Sequence, residues 1–143
     1  MQSVEASQLI VQEKTVSSAI QLAESADVGL IGIGGLDENT SEIFRNGWIG
    51  ADEFKTLREA GAVGETCGKF FDQEGQVLDI PFNKRLIAIN LNTLRGFDTV
   101  LAIAGSKNKA KAILAAMRGG FINVLVTDSD AAWQILDLAD SRR

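Results

Sequence analysis

A short turn between an apolar stretch and a basic stretch carries the residue types that bind anions. Gly105 and Ser106 form the turn, and Lys109 follows it closely. Residues 99–103 are typical of a buried strand and residues 107–117 of a helix, so the turn is predicted to present the free N–H groups of a helix start. Lysines there oppose the helix dipole, at about 0.3–1 kcal/mol each, unless an anion is bound. The sequence therefore predicts a phosphate site centred on Lys109; the alternative is a solvated lysine-rich helix face.

A glycine cluster ends an earlier apolar stretch of the chain. Residues 28–33 are typical of a buried strand, which would end in Gly32, Gly34 and Gly35. Ligands of parallel α/β sheets bind beyond the carboxyl ends of the strands, and glycines there let a ligand approach the backbone. The spacing is not that of a dinucleotide-binding motif, so a tight turn that serves only the chain geometry is an equal alternative.

A third candidate combines acidic and aromatic residues. Glu65 and Asp72 could accept hydrogen bonds from sugar hydroxyls, and an aromatic ring could supply an apolar wall. On a strand, Phe70 and Phe71 point to opposite faces, so we expect one in the core and only the other could line a pocket; for both rings a packing role is the stronger alternative. Cys67 has no activating partner in the sequence and is predicted to be a packing residue.

Composition excludes several classes of function. The 143 residues include no histidine and no tyrosine, which removes Ser-His-Asp and Cys-His catalysis and nearly all zinc chemistry. A net charge of −5 argues against a nucleic-acid surface on this chain, and one cysteine cannot form an internal disulfide. No apolar run reaches the roughly 20 residues of a membrane span. We expect a cytoplasmic protein with no metal, no cofactor and no membrane contact.

Strand and helix patterns alternate along the chain, which predicts one α/β domain over residues 1–143 with a mostly parallel sheet and helices on both faces. The predicted elements are a helix over 14–26, a strand over 28–33, a short helix ending at Gly61, a hairpin with its turn at 72–75 and a return strand over 77–80, a strand over 85–89, a helical turn over 91–94, strands over 99–103 and 123–126, a helix between those two strands, and a last helix starting at Asp128 or Ser129.

Three segments together resemble one family. ADVGLIGIGGL (residues 26–36), GWIGADEFKTLREAGAVGETCGKFFDQEGQ (47–76) and AIAGSKNKAKAILAAMRGGFINVLVTD (102–128) are similar to the effector-binding domain of SorC-type bacterial transcriptional regulators. The resemblance implies a Rossmann-like fold similar to the group of ribose-phosphate isomerase, glucosamine-phosphate deaminase and CoA-transferase. It also implies a sugar or sugar-phosphate effector, a homodimer or homotetramer, and DNA contact only through a helix-turn-helix domain outside this chain.

The resemblance also assigns site residues. It implies effector contacts for the glycine strand end, an acidic position and a phosphate-side lysine, and a less certain role for the FFD segment; the residues are Gly32, Gly34, Gly35, Glu65, Lys109, Phe71 and Asp72. Gly105 and Ser106 complete the predicted site. Two of these positions depart from the family pattern, because Ser106 stands where a second glycine is common and Glu65 where many relatives carry aspartate.

The family domain is also longer than this chain. The sequence matches neither the helix-turn-helix nor the first α/β half, so effector binding by this portion alone is in question. Three hypotheses follow: a non-enzymatic ligand-sensing module, an isomerase- or deaminase-like enzyme on the same fold with Glu65 or Asp72 as proton carrier, and a structural segment with no binding of its own.

Overall fold

The computed structural model describes residues 3–38 and 41–141. Its helices are α1 (Val4–Gln12), α2 (Lys14–Glu24), α3 (Glu42–Arg45), α4 (Ala51–Glu59), α5 (Pro81–Arg85), α6 (Leu91–Leu94), α7 (Ala110–Arg118) and α8 (Ser129–Asp140), with a 3-10 turn over Lys107–Lys109. Its strands are β1 (Val28–Gly32), β2 (Gly34–Gly35), β3 (Gly64–Thr66), β4 (Lys69–Phe71), β5 (Thr99–Ile103) and β6 (Val124–Val126).

Three parallel strands form the sheet that the sequence predicts. Their order is β1-β5-β6, with Gly32 opposite Ile103 and Ile103 opposite Val126, so the carboxyl ends of all three strands lie at one edge. Helix α7 connects β5 to β6, and α8 follows β6 after the N-cap Asp128. The mixed α/β class and the parallel sheet are confirmed.

A second, antiparallel sheet lies next to the end of β1. Its order is β2-β3-β4, and a single residue, Ile33, separates β1 from β2. The Thr66 hydroxyl, which is fully buried, donates a hydrogen bond to the Gly32 carbonyl at 2.7 Å. Gly64 lets β3 approach α7, since a Cβ there would lie 2.4 Å from that of Ala112. The small sheet is thereby fixed at the carboxyl edge of the large one.

Two hydrophobic cores result. The main core lies between one face of the parallel sheet and the helices α7 and α8, and the second lies around α3, α4 and α5. Strand β4 contributes to both, because Phe71 belongs to the main core and Phe70 to the second.

Only one face of the parallel sheet is covered in the described part of the chain, which corrects the prediction of helices on both faces. Val100 and Ala102 point into the main core, whereas the alternate residues Leu30, Ile103 and Val126 are at least half exposed. Helix α2 does not fill this role, because none of its residues is buried.

The segment between β3 and α6 also differs from its prediction. A tight turn at Cys67 and Gly68 joins β3 to β4, so residues 64–71 already form a hairpin before the predicted turn at 72–75. The 72–75 turn forms, but its return segment makes only one bridge, between Phe71 and Val77. Residues 85–89 form no strand.

Asn83 explains why 85–89 is not a strand. Pro81 begins α5, and the Asn83 amide then bonds the backbone N–H and carbonyl of Phe70 at 2.8 and 2.9 Å. A side chain thus takes the edge that a further strand would have used. Helix α1, which the sequence analysis did not predict, packs against α5.

Candidate functional site

A cleft of about 360 Å³ opens where the two sheets meet, beyond the carboxyl ends of β1 and β5. It is lined by Gly32, Ile33, Gly34, Ser41, Glu42, Glu65, Cys67, Ile103 and Lys109. Four of the predicted residues, two glycines, the acid and the lysine, are therefore brought together from three separate parts of the chain.

Glu65 is the acidic wall of the cleft. It lies on β3 opposite Gly34, and its Oε2 accepts the backbone N–H of Gly68 at 3.1 Å. Burial raises the pKa of the Glu65 carboxyl; the Gly68 hydrogen bond and the positive charge of Lys109 act in the opposite direction, and the nearby Glu42 carboxylate adds to the increase. The cleft therefore holds a partly desolvated carboxyl group that faces an ammonium group.

Lys109 forms the opposite wall. It ends the 3-10 turn and is the N-cap residue of α7, with its backbone N–H bonded to the Ser106 carbonyl at 3.0 Å. Gly35 lies beside this turn, since a Cβ on Gly35 would be in ordinary contact with the Cα and Cγ of Lys109, at 3.8 Å. Gly35 itself does not line the cleft.

Asp128 holds the turn in front of Lys109. One carboxylate oxygen accepts the Ser106 N–H at 2.6 Å, and the other caps α8 by accepting the Ala131 N–H at 2.8 Å. These hydrogen bonds hold the pKa of Asp128 below its usual range. A Cβ at Gly105 would lie 2.3 Å from Asp128 Oδ2, so a side chain there would displace this oxygen from the Ser106 N–H. Gly105 and Ser106 lie outside the cleft lining and shape its lysine wall.

Comparison with known proteins shows the family. Residues 1–137 match the family model Sugar-bind, described as "Putative sugar-binding domain". The chain belongs to this family. It is 38% identical over 136 residues to the transcriptional regulator LsrR of Escherichia coli strain K12, covering 94% of this chain and 43% of LsrR. The chain thus spans less than half the length of the curated relatives it matches.

Solved structures agree with this assignment. A transcriptional regulator from Streptococcus pneumoniae TIGR4 superposes with a TM-score of 0.89 at 26% identity, over 98% of this chain and 53% of the other. The full-length sorbitol operon regulator SorC from Klebsiella pneumoniae gives 0.85 at 25% identity, over 95% and 44%. The resemblance to SorC-type regulators is confirmed.

Two of the predicted site residues lie elsewhere in this sugar-binding fold. Phe71 is completely buried and its ring packs against Phe121, with centroids 5.5 Å apart, so it cannot line the cleft. Asp72 Oδ1 accepts the backbone N–H groups of Glu74 and Gln76, both at 2.9 Å, and closes the turn after β4. The sequence left one phenylalanine of β4 available for a pocket. Both are buried, because β4 lies between the main core and the second core.

Four lining residues did not stand out in the sequence. Ile33, Ser41 and Glu42 come from the region after β1, and Ile103 ends β5. The position of Ile103 at a strand end was a usable signal, whereas no local pattern in the sequence indicated Ser41 or Glu42.

Cys67 is both a packing and a lining residue. It packs against the main core, as predicted, and its other side faces the cleft. Its φ of 50° and that of Gly68, 75°, place the pair in the hairpin turn between β3 and β4. Burial raises the pKa of the Cys67 thiol, so it is a protonated group and not a nucleophile at neutral pH.

Within residues 3–38 and 41–141, no group of three or more acidic or cysteine side chains is arranged to hold a metal ion. In the same residues, no helix is long and apolar enough to cross a membrane.

Gly34→Ala separates binding from stability. The new Cβ would lie 2.2 Å from Glu65 Oε1, and the far end of a flexible side chain can move away. We expect the free energy of unfolding to fall by less than about 1 kcal/mol, while Glu65 leaves its position and a ligand that contacts Glu65 binds at least tenfold more weakly. Denaturant unfolding and calorimetric titration measure the two effects. A large stability loss with unchanged affinity would contradict the assigned position of Glu65.

Ser106→Gly tests the backbone strain in the turn. Ser106 has a φ of 83°, a conformation that favours glycine. Strain of this kind costs on the order of 1–3 kcal/mol, and the extra freedom of glycine in the unfolded chain offsets part of the gain. We expect the variant to be more stable by about 1 kcal/mol in urea unfolding; a less stable variant would refute the strained geometry.

Glu65→Gln tests the electrostatics of the cleft. A carboxyl group whose pKa is raised on folding destabilises the protein once the pH exceeds its unfolded pKa, and the penalty grows until the folded pKa is passed. The glutamine variant should therefore melt at a higher temperature than the wild type at pH 7, with the difference vanishing near pH 4. Scanning calorimetry across this range decides the matter; an equal difference at both pH values would exclude this origin.

Proposed function

We propose that the chain is the ligand-sensing part of a bacterial transcriptional regulator and that its cleft binds a sugar phosphate. One observation carries the proposal: Glu65 and Lys109 face each other across the same cleft at the carboxyl edge of the parallel sheet. The resemblance to sugar-binding regulators supports this use of the cleft.

The residue types match the chemistry of such a ligand. The Lys109 ammonium, beside the start of α7, would bind the phosphate. The carboxylates of Glu65 and Glu42 would accept hydrogen bonds from sugar hydroxyls, and Ile103 would contact the C–H face of the sugar. Gly32 presents a backbone with open space in front of it.

We further propose that the cleft senses its ligand and does not transform it. The relatives are transcriptional regulators, which supports a sensing role over the isomerase- or deaminase-like alternative. DNA binding would belong to another part of the full protein, which would act in the cytoplasm as a homodimer or homotetramer.

A panel of sugar phosphates tests this proposal. Ribose 5-phosphate, glucosamine 6-phosphate, the corresponding free sugars and inorganic phosphate are added while unfolding is followed. A phosphosugar at 100 times its dissociation constant should stabilise the protein by about 2.7 kcal/mol. Product formation is measured in parallel. Stabilisation without turnover is the expected result; turnover would favour the enzyme, and no stabilisation by any member would leave only a structural segment.

A further inference from the structure

The charges that line the cleft do not balance. Among the described residues that line it, three are charged: Glu42, Glu65 and Lys109. Two carboxylates and one ammonium group give the walls a net charge of −1 when all three are ionised. A phosphate monoester adds about 1.5–2 further negative charges at neutral pH. A phosphosugar whose other groups are all hydroxyls would therefore enter a cleft that already carries a net charge of its own sign.

No basic side chain of the described residues neutralises the two carboxylates. Within 3–38 and 41–141, the ion pairs of lysine and arginine are all made with other acids, namely Glu38, Glu53, Glu59 and Asp79. The positive charge of Lys109 acts on Glu65 across the cleft, but the two groups do not form an ion pair. Both walls of the cleft therefore keep charges that a ligand can use.

Glu65 also has a carboxylate oxygen left for a ligand. Its Oε2 accepts the Gly68 N–H, whereas no group in the described part of the chain donates to Oε1. Oε1 lies beside Gly34, a lining residue on which a Cβ would collide with it. Burial and the nearby Glu42 carboxylate both raise the pKa of the Glu65 carboxyl group. The two carboxylates thus repel each other, and a cation bound between them would relieve the repulsion.

We propose that the ligand of this cleft is a phosphorylated amino sugar, whose ammonium group binds between Glu42 and Glu65 and whose phosphate binds Lys109. The inference rests on the proposed function, because it takes the cleft to bind a phosphosugar and specifies the class. Such a ligand brings a positive charge to the acidic wall and its negative charge to the lysine wall. Each charge in the occupied cleft then has an opposite charge as its neighbour.

Glucosamine 6-phosphate and glucose 6-phosphate test the proposal, because they differ only in the group on C2. N-acetylglucosamine 6-phosphate is the third probe, since it keeps the nitrogen atom but removes its charge. Hydrogen bonds between charged groups are stronger than those between neutral groups. Calorimetric titration at neutral pH should therefore give a dissociation constant for glucosamine 6-phosphate at least tenfold lower than those for the other two.

The same comparison is made with the galactose and mannose series, so that the stereochemistry of the ring does not decide the result. A tenfold preference for the amino sugar in one series is the expected outcome. Equal dissociation constants for the amino and hydroxyl sugars in all three series would overturn the inference.

Glu42→Gln tests the acidic wall, and Glu59→Gln is its matched control. Glu42 is exposed, so the variant should keep its melting temperature. Glu59 lies at the end of α4, outside the cleft lining, and its substitution changes the net charge equally. The preference for glucosamine 6-phosphate over glucose 6-phosphate should fall by at least about threefold in Glu42→Gln and stay unchanged in the control. An unchanged preference in Glu42→Gln, or equal losses in both variants, would refute the ammonium contact.

A divalent cation is the other way to balance the acidic wall, and titrations in Mg²⁺ and in EDTA distinguish it. Affinity for glucose 6-phosphate that rises in Mg²⁺ to that for glucosamine 6-phosphate would assign the wall to a metal ion and overturn the inference. Failure of the proposed function has a different signature, because no phosphosugar would then bind under either condition. Binding of phosphosugars without preference for the amino group would leave the proposed function intact.

Discussion

Lys109→Ala is expected to weaken strongly the stabilisation of the protein by sugar phosphates. The ammonium group is the cation that faces Glu65 across the cleft, at the N-terminus of α7. A hydrogen bond to a charged group contributes about 1.5–3 kcal/mol, so the dissociation constant should rise by roughly 10- to 150-fold. The fold should be retained, because Lys109 belongs to neither hydrophobic core. Calorimetric titration with a responsive phosphosugar measures the change.

Lys111→Ala is the matched control for this prediction. Lys111 lies two residues later, on α7, and lines a different cleft together with Asp72. Its removal changes the net charge equally but leaves the lysine wall of the candidate site in place. Equal losses of affinity in the two variants would indicate a general charge effect and contradict a specific phosphate contact by Lys109.

Phe71→Ala should have the largest effect on stability. The Phe71 side chain is fully buried in the main core, together with Phe121 and residues of α7, so its truncation leaves a cavity. Removal of a buried phenylalanine ring costs about 3–5 kcal/mol, a large fraction of the stability of an ordinary domain. The loss should appear as a lower midpoint of urea unfolding with an unchanged slope.

Phe71→Leu separates packing from recognition. Leucine fills much of the same space, so the variant should recover most of the lost stability. Sugar-phosphate affinity, measured well below the melting temperature, should match that of the wild type. A variant with full stability and weakened affinity would return Phe71 to the binding site, where the FFD pattern had placed it.

The parts of the fold that the sequence predicted are those fixed by local patterns. The succession β5, turn, α7, β6 and α8 follows from apolar runs, from helix periodicity and from the Asp128 cap, all within 42 residues of the chain. The lysine turn was located by the same local signals. Its partner Glu65 was found through acidic chemistry and the resemblance, since no spacing in the sequence relates the two residues.

What the sequence did not predict depends on distant contacts. The strand expected over 85–89 is absent because the Asn83 amide bonds the β4 backbone, a pairing of residues 13 apart. Phe71 was assigned to the site by the FFD segment of the resemblance, and alternation along a strand could not correct this because it predicts two faces but not what covers each. The open face of the parallel sheet was missed for the same reason, because an apolar strand has the same sequence pattern whether or not another layer covers it.

A structure of the protein with a bound phosphosugar tests the central claim most directly. Crystals soaked with a sugar phosphate that stabilises the protein should show the phosphate within hydrogen-bond distance of Lys109 Nζ and a sugar hydroxyl at Glu65. Density for the sugar phosphate at any other surface, with the cleft between Glu65 and Lys109 empty, would contradict the account.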